Sequence, residues 1–298
     1  MPSPAGIPSR GVLIFSLSIV IARLSCYVKS HRRHERKRVK VLIFDIDDTL
    51  YPFTNGFTTH RNGSVALQYM VDIMGFKNRE AAAKVRQPLF LKYHSTAKAL
   101  AVAADEGLLP PNLDGSPRKF DPQSLADYWS KNAAFDMIAP DPALRKCLNR
   151  LKSEAGLHIV AFTNAPKRYG VKVLSRLGVS DAFDDGLVFG VDDVLPFCKP
   201  ERSAFEAVLS RVREAVGDNG IEFEDCVMFE DSMKNVRAAK ALGMGTVLLL
   251  AKEGEHDGNN LGDRGVKDDP CVDVVLGRAR EIGDKIGCLF VGEFPCYE

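Results

Sequence analysis

Three carboxylates stand close together near the beginning of the chain. Asp45, Asp47 and Asp48 directly follow Val41–Phe44, an apolar run with the length of a strand that is buried on both faces. In an open parallel sheet, ligands bind in the crevice beyond the carboxyl ends of the strands. Like charges packed this closely repel one another, and a hard cation such as Mg²⁺ would offset them. The pattern therefore favours a metal-dependent site over the simpler alternative, an acidic turn after a strand.

The stretch Asp45-Ile46-Asp47-Asp48-Thr49 resembles the first motif of the haloacid dehalogenase-like hydrolases, in which a hydrophobic strand is followed by Asp-x-Asp-x-Thr. The resemblance implies that Asp45 is a nucleophile that forms an aspartyl-phosphate and that Asp47 is the general acid/base. Residues two apart on an extended segment point the same way, so both carboxylates can reach one transferring group. Asp47 also argues against a dehalogenase, because the dehalogenases of this family lack a carboxylate there.

Two further positions resemble the second and third motifs of the family. The predicted strand Leu157–Phe162 ends at Thr163 and Asn164. We expect both residues to bind the substrate, the Thr163 hydroxyl as a donor to a phosphoryl oxygen, and we expect Asn164 to cap the helix Lys167–Leu177. Lys199 precedes a proline at a predicted helix start and resembles the lysine that ties the nucleophilic carboxylate to the phosphate. A fixed cation is needed where a phosphoryl group and several carboxylates share one pocket.

The fourth motif carries the remaining metal ligands. A predicted strand at 226–229 runs into Glu230 and Asp231, and this stretch resembles the acidic end of the family's fourth motif. The resemblance implies that Asp231 binds Mg²⁺ directly and that Glu230 acts on the metal directly or through water. Together with Asp45 and the Asp47 carbonyl, these ligands suit Mg²⁺, which prefers few carboxylates and retains waters.

A long helical insertion separates the first two strands. Residues 57–136 have apolar residues at helical spacing in several stretches, and no simple strand-to-strand crossover is this long. We therefore predict an α/β fold, a Rossmann-like, doubly wound parallel sheet in residues 39–56 and 137–298, with an inserted helical cap domain at 57–136. The insertion lies where the family places its cap, which implies that this segment chooses the leaving group.

One stretch of the predicted cap bears on the substrate. Tyr93-His94-Ser95-Thr96 resembles a segment of the pyrimidine 5′-nucleotidase branch of the family that usually reads Tyr-Gly-Thr-Thr. The resemblance implies a pyrimidine nucleoside 5′-monophosphate as substrate, with Tyr93, His94 and Thr96 as its contacts. The simpler interpretation is that His94, which replaces a glycine, lies on a helix surface. Other small phosphorylated metabolites such as sugar phosphates, a phosphomutase, and an inactive membrane-tethered binding protein stay open as alternatives.

The N-terminal segment differs in character from the rest of the chain. In residues 1–38, the apolar run Gly11–Ala22 is followed by the basic run Lys29–Lys40. This order suits a signal anchor or an organellar transit peptide, unless the true start lies downstream. We therefore expect a cytoplasmic or organellar protein, with membrane association through its N-terminus as one option.

The composition of the chain gives little information about partners. The net charge of +1 argues for no particular partner, and we expect no nucleic-acid partner because no basic surface interleaved with aromatic residues is evident. None of the seven cysteines forms a Cys-x-x-Cys pair, which predicts reduced core thiols and no structural zinc.

Overall fold

A six-stranded parallel sheet forms the centre of the computed structural model, which describes residues 37–184, 186–250 and 269–294. The strand order is β4-β3-β2-β5-β6-β7. These strands are β2 (Val41–Phe44), β3 (His158–Phe162), β4 (Val188–Phe189), β5 (Cys226–Glu230), β6 (Gly245–Leu249) and β7 (Val274–Leu276). The chain order reverses beside β2, which is where an open α/β sheet binds its ligands. The predicted Rossmann-like, doubly wound parallel sheet is confirmed.

Ten α-helices are found in the described residues, and five of them lie in residues 57–136. The five are α1 (Phe57–His60), α2 (Ala66–Asp72), α3 (Arg79–Tyr93), α4 (Thr96–Asp105) and α5 (Pro122–Asn132), with a π turn at Arg61–Val65. The others are α6 (Pro142–Ala155), α7 (Lys167–Leu177), α8 (Arg202–Val216), α9 (Met233–Ala241) and α10 (Ile282–Lys285). We refer to residues 57–136, where the cap was predicted, as the helical segment.

Strand β2 is buried on both faces, as its uniformly apolar sequence requires. Leu42 and Phe44 belong to one hydrophobic cluster, whereas Val41 and Ile43 belong to a second. Phe44 pairs with Phe229 in the strand register, and their rings stack with centroids 4.3 Å apart. The matched register of β2 with β3 and β5 brings the carboxyl ends of these three strands to one edge of the sheet. The residues that follow the strands therefore meet there.

A second, two-stranded sheet lies at the beginning and end of the described chain. Strand β1 (Lys37–Arg38) pairs antiparallel with β8 (Glu293–Phe294). The last two residues of the predicted N-terminal extension are therefore part of the fold. The predicted anchor or transit peptide in residues 1–36 lies outside the described residues. Within the described ranges, no helix has the length and apolar character needed to span a bilayer.

The cysteines are not all reduced, contrary to the expectation from the sequence. Cys147, Cys198, Cys226 and Cys271 are free thiols, and the first three are buried. Cys288 is disulfide-bonded, so the prediction of reduced thiols holds for those four residues and is wrong for Cys288.

Candidate active site

One buried ammonium group connects the ends of three strands. Lys199 Nζ donates to Asp45 Oδ1 at 2.7 Å, to Glu230 Oε2 at 2.8 Å and to the Phe162 carbonyl at 2.7 Å. The Lys199 side chain is only 1% exposed. Burial alone would lower the pKa of Lys199, but Asp45 and Glu230 outweigh it and raise this pKa above its ordinary value. Lys199 is thus a fixed positive charge beside the predicted nucleophile.

Three carboxylates surround this charge and form a metal-compatible cluster. Asp45, Glu230 and Asp231 each offer an oxygen, and these atoms all lie within 4.8 Å of one another. Burial and Glu230 raise the pKa of Asp45 well above its usual range, although Lys199 opposes the rise. Burial and Glu230 likewise raise the pKa of Asp231. A single ammonium cannot neutralise three carboxylates, so the hard oxygen donors fit an additional divalent cation of the Mg²⁺ type.

The carboxylate of Asp47 lies in a different set of contacts. Tyr51 and Tyr169 donate their hydroxyl groups to Asp47 Oδ1 at 2.6 and 2.7 Å, and Arg61 Nη2 donates to Oδ2 at 2.8 Å. The Arg61 guanidinium lies over the rings of Trp129 and Tyr169, 4.6 Å from each centroid. These contacts fix the orientation of Asp47, and its side chain is not part of the three-carboxylate cluster.

Asn164 plays a different part from the predicted helix cap. Its side-chain Oδ1 accepts from the Lys199 amide at 2.9 Å, and its Nδ2 donates to the Lys199 carbonyl at 2.9 Å. The residue at the N-cap of α7 is Pro166, so the capping prediction is wrong. The first α7 amide, at Lys167, donates instead to Asp192 Oδ1 at 2.7 Å. Asn164 thereby holds the backbone of Lys199 through two hydrogen bonds.

Thr163 follows β3 as predicted and is almost completely buried. Its Oγ1 accepts a hydrogen bond from the Ala165 amide at 3.1 Å. The hydroxyl proton is therefore free to point elsewhere, since a hydroxyl can donate and accept at once. The contact fixes the turn that follows β3.

A cavity of about 420 Å³ joins the sheet edge to the helical segment. Nine of the ten predicted site residues line it, and these are Asp45, Asp47, His94, Thr96, Thr163, Asn164, Lys199, Glu230 and Asp231. Tyr93 does not line it. Its ring instead lies beneath two ammonium groups, with Lys92 Nζ 4.9 Å and Lys98 Nζ 5.4 Å from the centroid. The last helical residue of α3 is thus not part of the cavity lining.

His94 ends helix α3 in an unusual backbone conformation. Its φ of 49° lies in the left-handed region, which glycine adopts most readily and which is common at helix C-caps. This geometry explains why a glycine suits the position. The His94 Nε2 atom lies 2.7 Å from Lys234 Nζ, so the imidazole contacts the helix that follows the fourth motif. The helical segment also contacts the second motif, because Ser95 Oγ donates to the Asn164 carbonyl at 2.6 Å.

Sequence reasoning missed several cavity or site residues. Arg61, Arg86 and Trp129 line the cavity, and Tyr51 and Tyr169 bind Asp47. Arg61 and Arg86 have polar side chains that are more than nine-tenths buried, but nothing in the spacing of charges along the helices distinguishes them from solvated residues. Only the π turn that begins at Arg61 is a local structural signal, since π turns are frequent at functional sites.

Comparison with known proteins agrees with this arrangement. The model of the haloacid dehalogenase-like hydrolase family matches residues 39–243, and the chain belongs to this family. Phosphate metabolism protein 8 of Saccharomyces cerevisiae is 26% identical over 231 residues, which cover 74% of this chain and 65% of the yeast protein. A phosphorylated carbohydrates phosphatase of Thermotoga maritima is 30% identical over 114 residues, covering 38% of this chain and 48% of that protein.

Solved structures support the fold. A β-phosphoglucomutase from Clostridium difficile has a TM-score of 0.51 at 16% identity, covering 85% of this chain and 97% of that chain. CbbY from Rhodobacter sphaeroides, solved with phosphate, has a TM-score of 0.50 at 18% identity, covering 82% of this chain and 96% of that chain. At these identities the similarity establishes the architecture alone.

Proposed function

We propose that this chain is a Mg²⁺-dependent phosphomonoester hydrolase that works through an aspartyl-phosphate on Asp45. The observation that carries the proposal is the buried contact of Lys199 with Asp45 and Glu230 beside Asp231. A protein that only binds a ligand has no chemical need to gather three carboxylates around one buried ammonium group. Membership of a hydrolase family and two relatives of the phosphate-metabolism and phosphatase kind support the same chemistry.

The chemistry divides between two aspartates. An Asp45 oxygen attacks the phosphorus, the bond from phosphorus to the leaving oxygen breaks, and Asp47 gives that oxygen a proton. Asp47 then takes a proton from water, which attacks the phosphorus of the aspartyl-phosphate and releases inorganic phosphate and the Asp45 carboxylate. Lys199 holds Asp45 in place and offsets its charge. A Mg²⁺ ion bound by Asp45, Glu230 and Asp231 would supply further neutralisation of the phosphoryl charge.

Pyrimidine nucleoside 5′-monophosphates are the substrates that we propose to test first. The resemblance of residues 93–96 to the pyrimidine 5′-nucleotidase branch supports them, as does a cavity large enough for a small ligand. Sugar phosphates are the second candidate, because a relative named for phosphorylated carbohydrates matches part of the chain. A phosphomutase would use the same residues and differ only in returning the phosphoryl group to substrate.

A substrate panel tests the proposal directly. The purified protein is incubated with nucleotides, sugar phosphates and p-nitrophenyl phosphate, and inorganic phosphate is measured in Mg²⁺, in Ca²⁺ and in excess EDTA. We expect release in Mg²⁺ only, because Ca²⁺ accepts a looser, higher coordination that misplaces the nucleophile. Full turnover in EDTA would refute metal dependence. Isomerised substrate without phosphate release would identify a mutase, and no reaction with any substrate would favour a binding protein.

A further inference from the structure

Arg86 is a buried cation on the helical side of the cavity. It lies in α3, lines the cavity and is 8% exposed. Its Nε and Nη2 atoms donate to Thr96 Oγ1 at 3.2 and 2.8 Å, and its guanidinium lies 4.2 Å from the centroid of the Phe90 ring. No carboxylate of the described residues contacts it. Among the described residues, Arg86 is thus partnered only by one hydroxyl oxygen and one aromatic face.

The other buried cations of the site have acidic partners. Lys199 contacts Asp45 and Glu230, and Arg61 contacts Asp47. An isolated buried charge is costly, and proteins ordinarily compensate it with a paired group of opposite sign. Burial and the neighbouring Arg61 lower the pKa of Arg86 to about 10, so the guanidinium stays protonated at neutral pH. A buried, charged guanidinium without an anionic partner in the part of the protein that the structure describes is suited to bind an anionic group of a ligand.

A second observation points the same way. The indole Nε1 of Trp129 and the Nε of Arg61 are buried without a hydrogen-bond partner in the described part of the chain. Both residues line the same cavity as Arg86. The helical side of the cavity therefore has more hydrogen-bond donors than acceptors. On the sheet side, by contrast, hydrogen-bond acceptors predominate, because carboxylates outnumber ammonium groups there.

We infer that Arg86, held by its hydrogen bonds to Thr96, forms a second oxyanion subsite. The preferred substrates accordingly carry a carboxylate or a second phosphate on the leaving group. This inference rests on the proposed phosphomonoester hydrolysis and specifies its substrate class. Among pyrimidine nucleotides, we therefore expect one whose base bears an acidic group to be preferred over an unsubstituted one. The guanidinium fork matches the two oxygens of either anion.

Ligand binding tests the subsite without requiring turnover. The Mg²⁺-loaded full chain is titrated by calorimetry with ω-carboxyalkylphosphonates of increasing chain length, with alkane bisphosphonates, and with alkylphosphonates of equal length as controls. We expect at least one acidic ligand to bind about 100-fold more tightly than its alkyl control, the range expected for a buried charge pair. The carboxylate and bisphosphonate series show which oxyanion fits better.

Three variants assign the preference to a residue. Arg86→Gln should abolish the ratio between acidic and alkyl ligands, and Arg86→Lys, which keeps the charge, should retain part of it. Arg79→Gln is the matched control, since Arg79 is exposed on the same helix and should keep the full ratio. A purely structural role for Arg86 would weaken both ligand classes alike and leave the ratio unchanged.

Several results would overturn the inference. No preference in any chain length would do so, as would a preference that survives in Arg86→Gln. A preference lost in Arg278→Gln instead would move the subsite to Arg278, a further arginine that lines the cavity. Failure of the proposed function looks different: p-nitrophenyl phosphate would not be hydrolysed in Mg²⁺, while the binding ratio and its dependence on Arg86 could still be measured.

Discussion

The two sides of the cavity differ in charge and in how they are built. The sheet side presents Asp45, Glu230 and Asp231 around one ammonium, at or directly after the carboxyl ends of parallel strands. The helical side presents Arg61 and Arg86 from the helical segment. Every phosphomonoester offers the same phosphoryl group, so the sheet side can treat all substrates alike. We therefore expect discrimination among leaving groups to come from the helical side.

The difference between the two sides of the cavity predicts how substitutions on each side should affect activity. Changes on the sheet side should lower activity toward all substrates by the same factor, whereas changes on the helical side should alter their ranking. Arg61 is the informative exception, because it comes from the helical segment but contacts Asp47. Four experiments test the division, beginning with the largest expected effect.

The nucleophile should have the largest effect. We expect Asp45→Asn to lower kcat by at least about 10⁴-fold for every substrate, because a neutral amide cannot form the acyl phosphate. Asp47→Asn should cost about 10²–10⁴-fold, the usual contribution of a general acid/base. Labelled phosphate should be trapped on the protein in Asp47→Asn with a good leaving group and absent in Asp45→Asn. Equal trapping in both variants would show that the roles are misassigned.

Lys199→Met should reduce both activity and stability. Removing one partner of a buried ion pair typically costs about 3–5 kcal/mol, because the remaining charge is left uncompensated. Burial and Glu230 already raise the pKa of Asp45 in the folded protein, and Lys199 opposes the rise, so removing Lys199 should raise this pKa further. Near neutrality, the folded variant should then bind more protons than its unfolded chain. The unfolding free energy should therefore fall as pH rises, so the loss should be larger at pH 8 than at pH 5.

Urea unfolding in EDTA at both pH values measures this difference. Lys152→Met is the matched control, since Lys152 forms a half-exposed ion pair with Asp184 that should contribute less than about 1 kcal/mol. A loss that does not depend on pH would mean that packing of the lysine stem, not charge, stabilises the site.

The same division explains which residues could be predicted from the sequence. Asp45, Thr163 and Asp231 each follow an apolar strand, and parallel strands in register bring such residues together without any knowledge of distant packing. Arg86 and Tyr169 could not be found this way. Their positions depend on how helices pack across the cavity, and an inward-facing arginine has the same sequence appearance as a solvated one.

Tyr93 and Asn164 show a second limit of prediction. Both belong to stretches that resemble family motifs, but one side chain points away from the cavity and the other holds the Lys199 backbone. A motif predicts that a segment lies near the site. The direction of each side chain depends on φ, ψ and neighbouring contacts that the segment alone does not specify.

Arg61→Gln should have an intermediate effect that links the two sides. The guanidinium contacts the carboxylate of Asp47, so we expect Arg61 to act as a positioning residue. We expect kcat to fall about 10–100-fold with a smaller change in KM, because a misplaced acid weakens proton transfer. The loss should be larger for alkyl phosphates, whose leaving oxygen needs a proton, than for p-nitrophenyl phosphate.

Tyr169→Phe removes another donor to Asp47, one that lies in α7 outside the helical segment, and serves as the comparison. A similar dependence on the leaving group in both variants would assign the effect to Asp47. If Arg61→Gln instead slowed good and poor leaving groups equally, Arg61 would belong with the residues that act on the phosphoryl group.

His94→Gly should have the smallest effect and test the division most finely. Glycine adopts the left-handed backbone of this C-cap without strain, so we expect the unfolding free energy to change by less than about 1 kcal/mol. Since His94 lines the cavity from the helical side, the ranking of kcat/KM among nucleotides and sugar phosphates should shift, by less than about 10-fold, with Mg²⁺ dependence unchanged.

Lys234→Met separates two causes of that shift, because it removes one contact of the imidazole without changing the sequence of α3. A common shift in both variants would assign the effect to the orientation of the imidazole, and a shift in His94→Gly alone would assign it to the space that the ring occupies. If His94→Gly kept the parental ranking over the whole panel, and Thr96→Val did too, residues 93–96 would not select the substrate. The turn-rich stretch Tyr51–His60, whose Pro52, Phe53, Thr58 and Thr59 also line the cavity, would then be the next region to substitute.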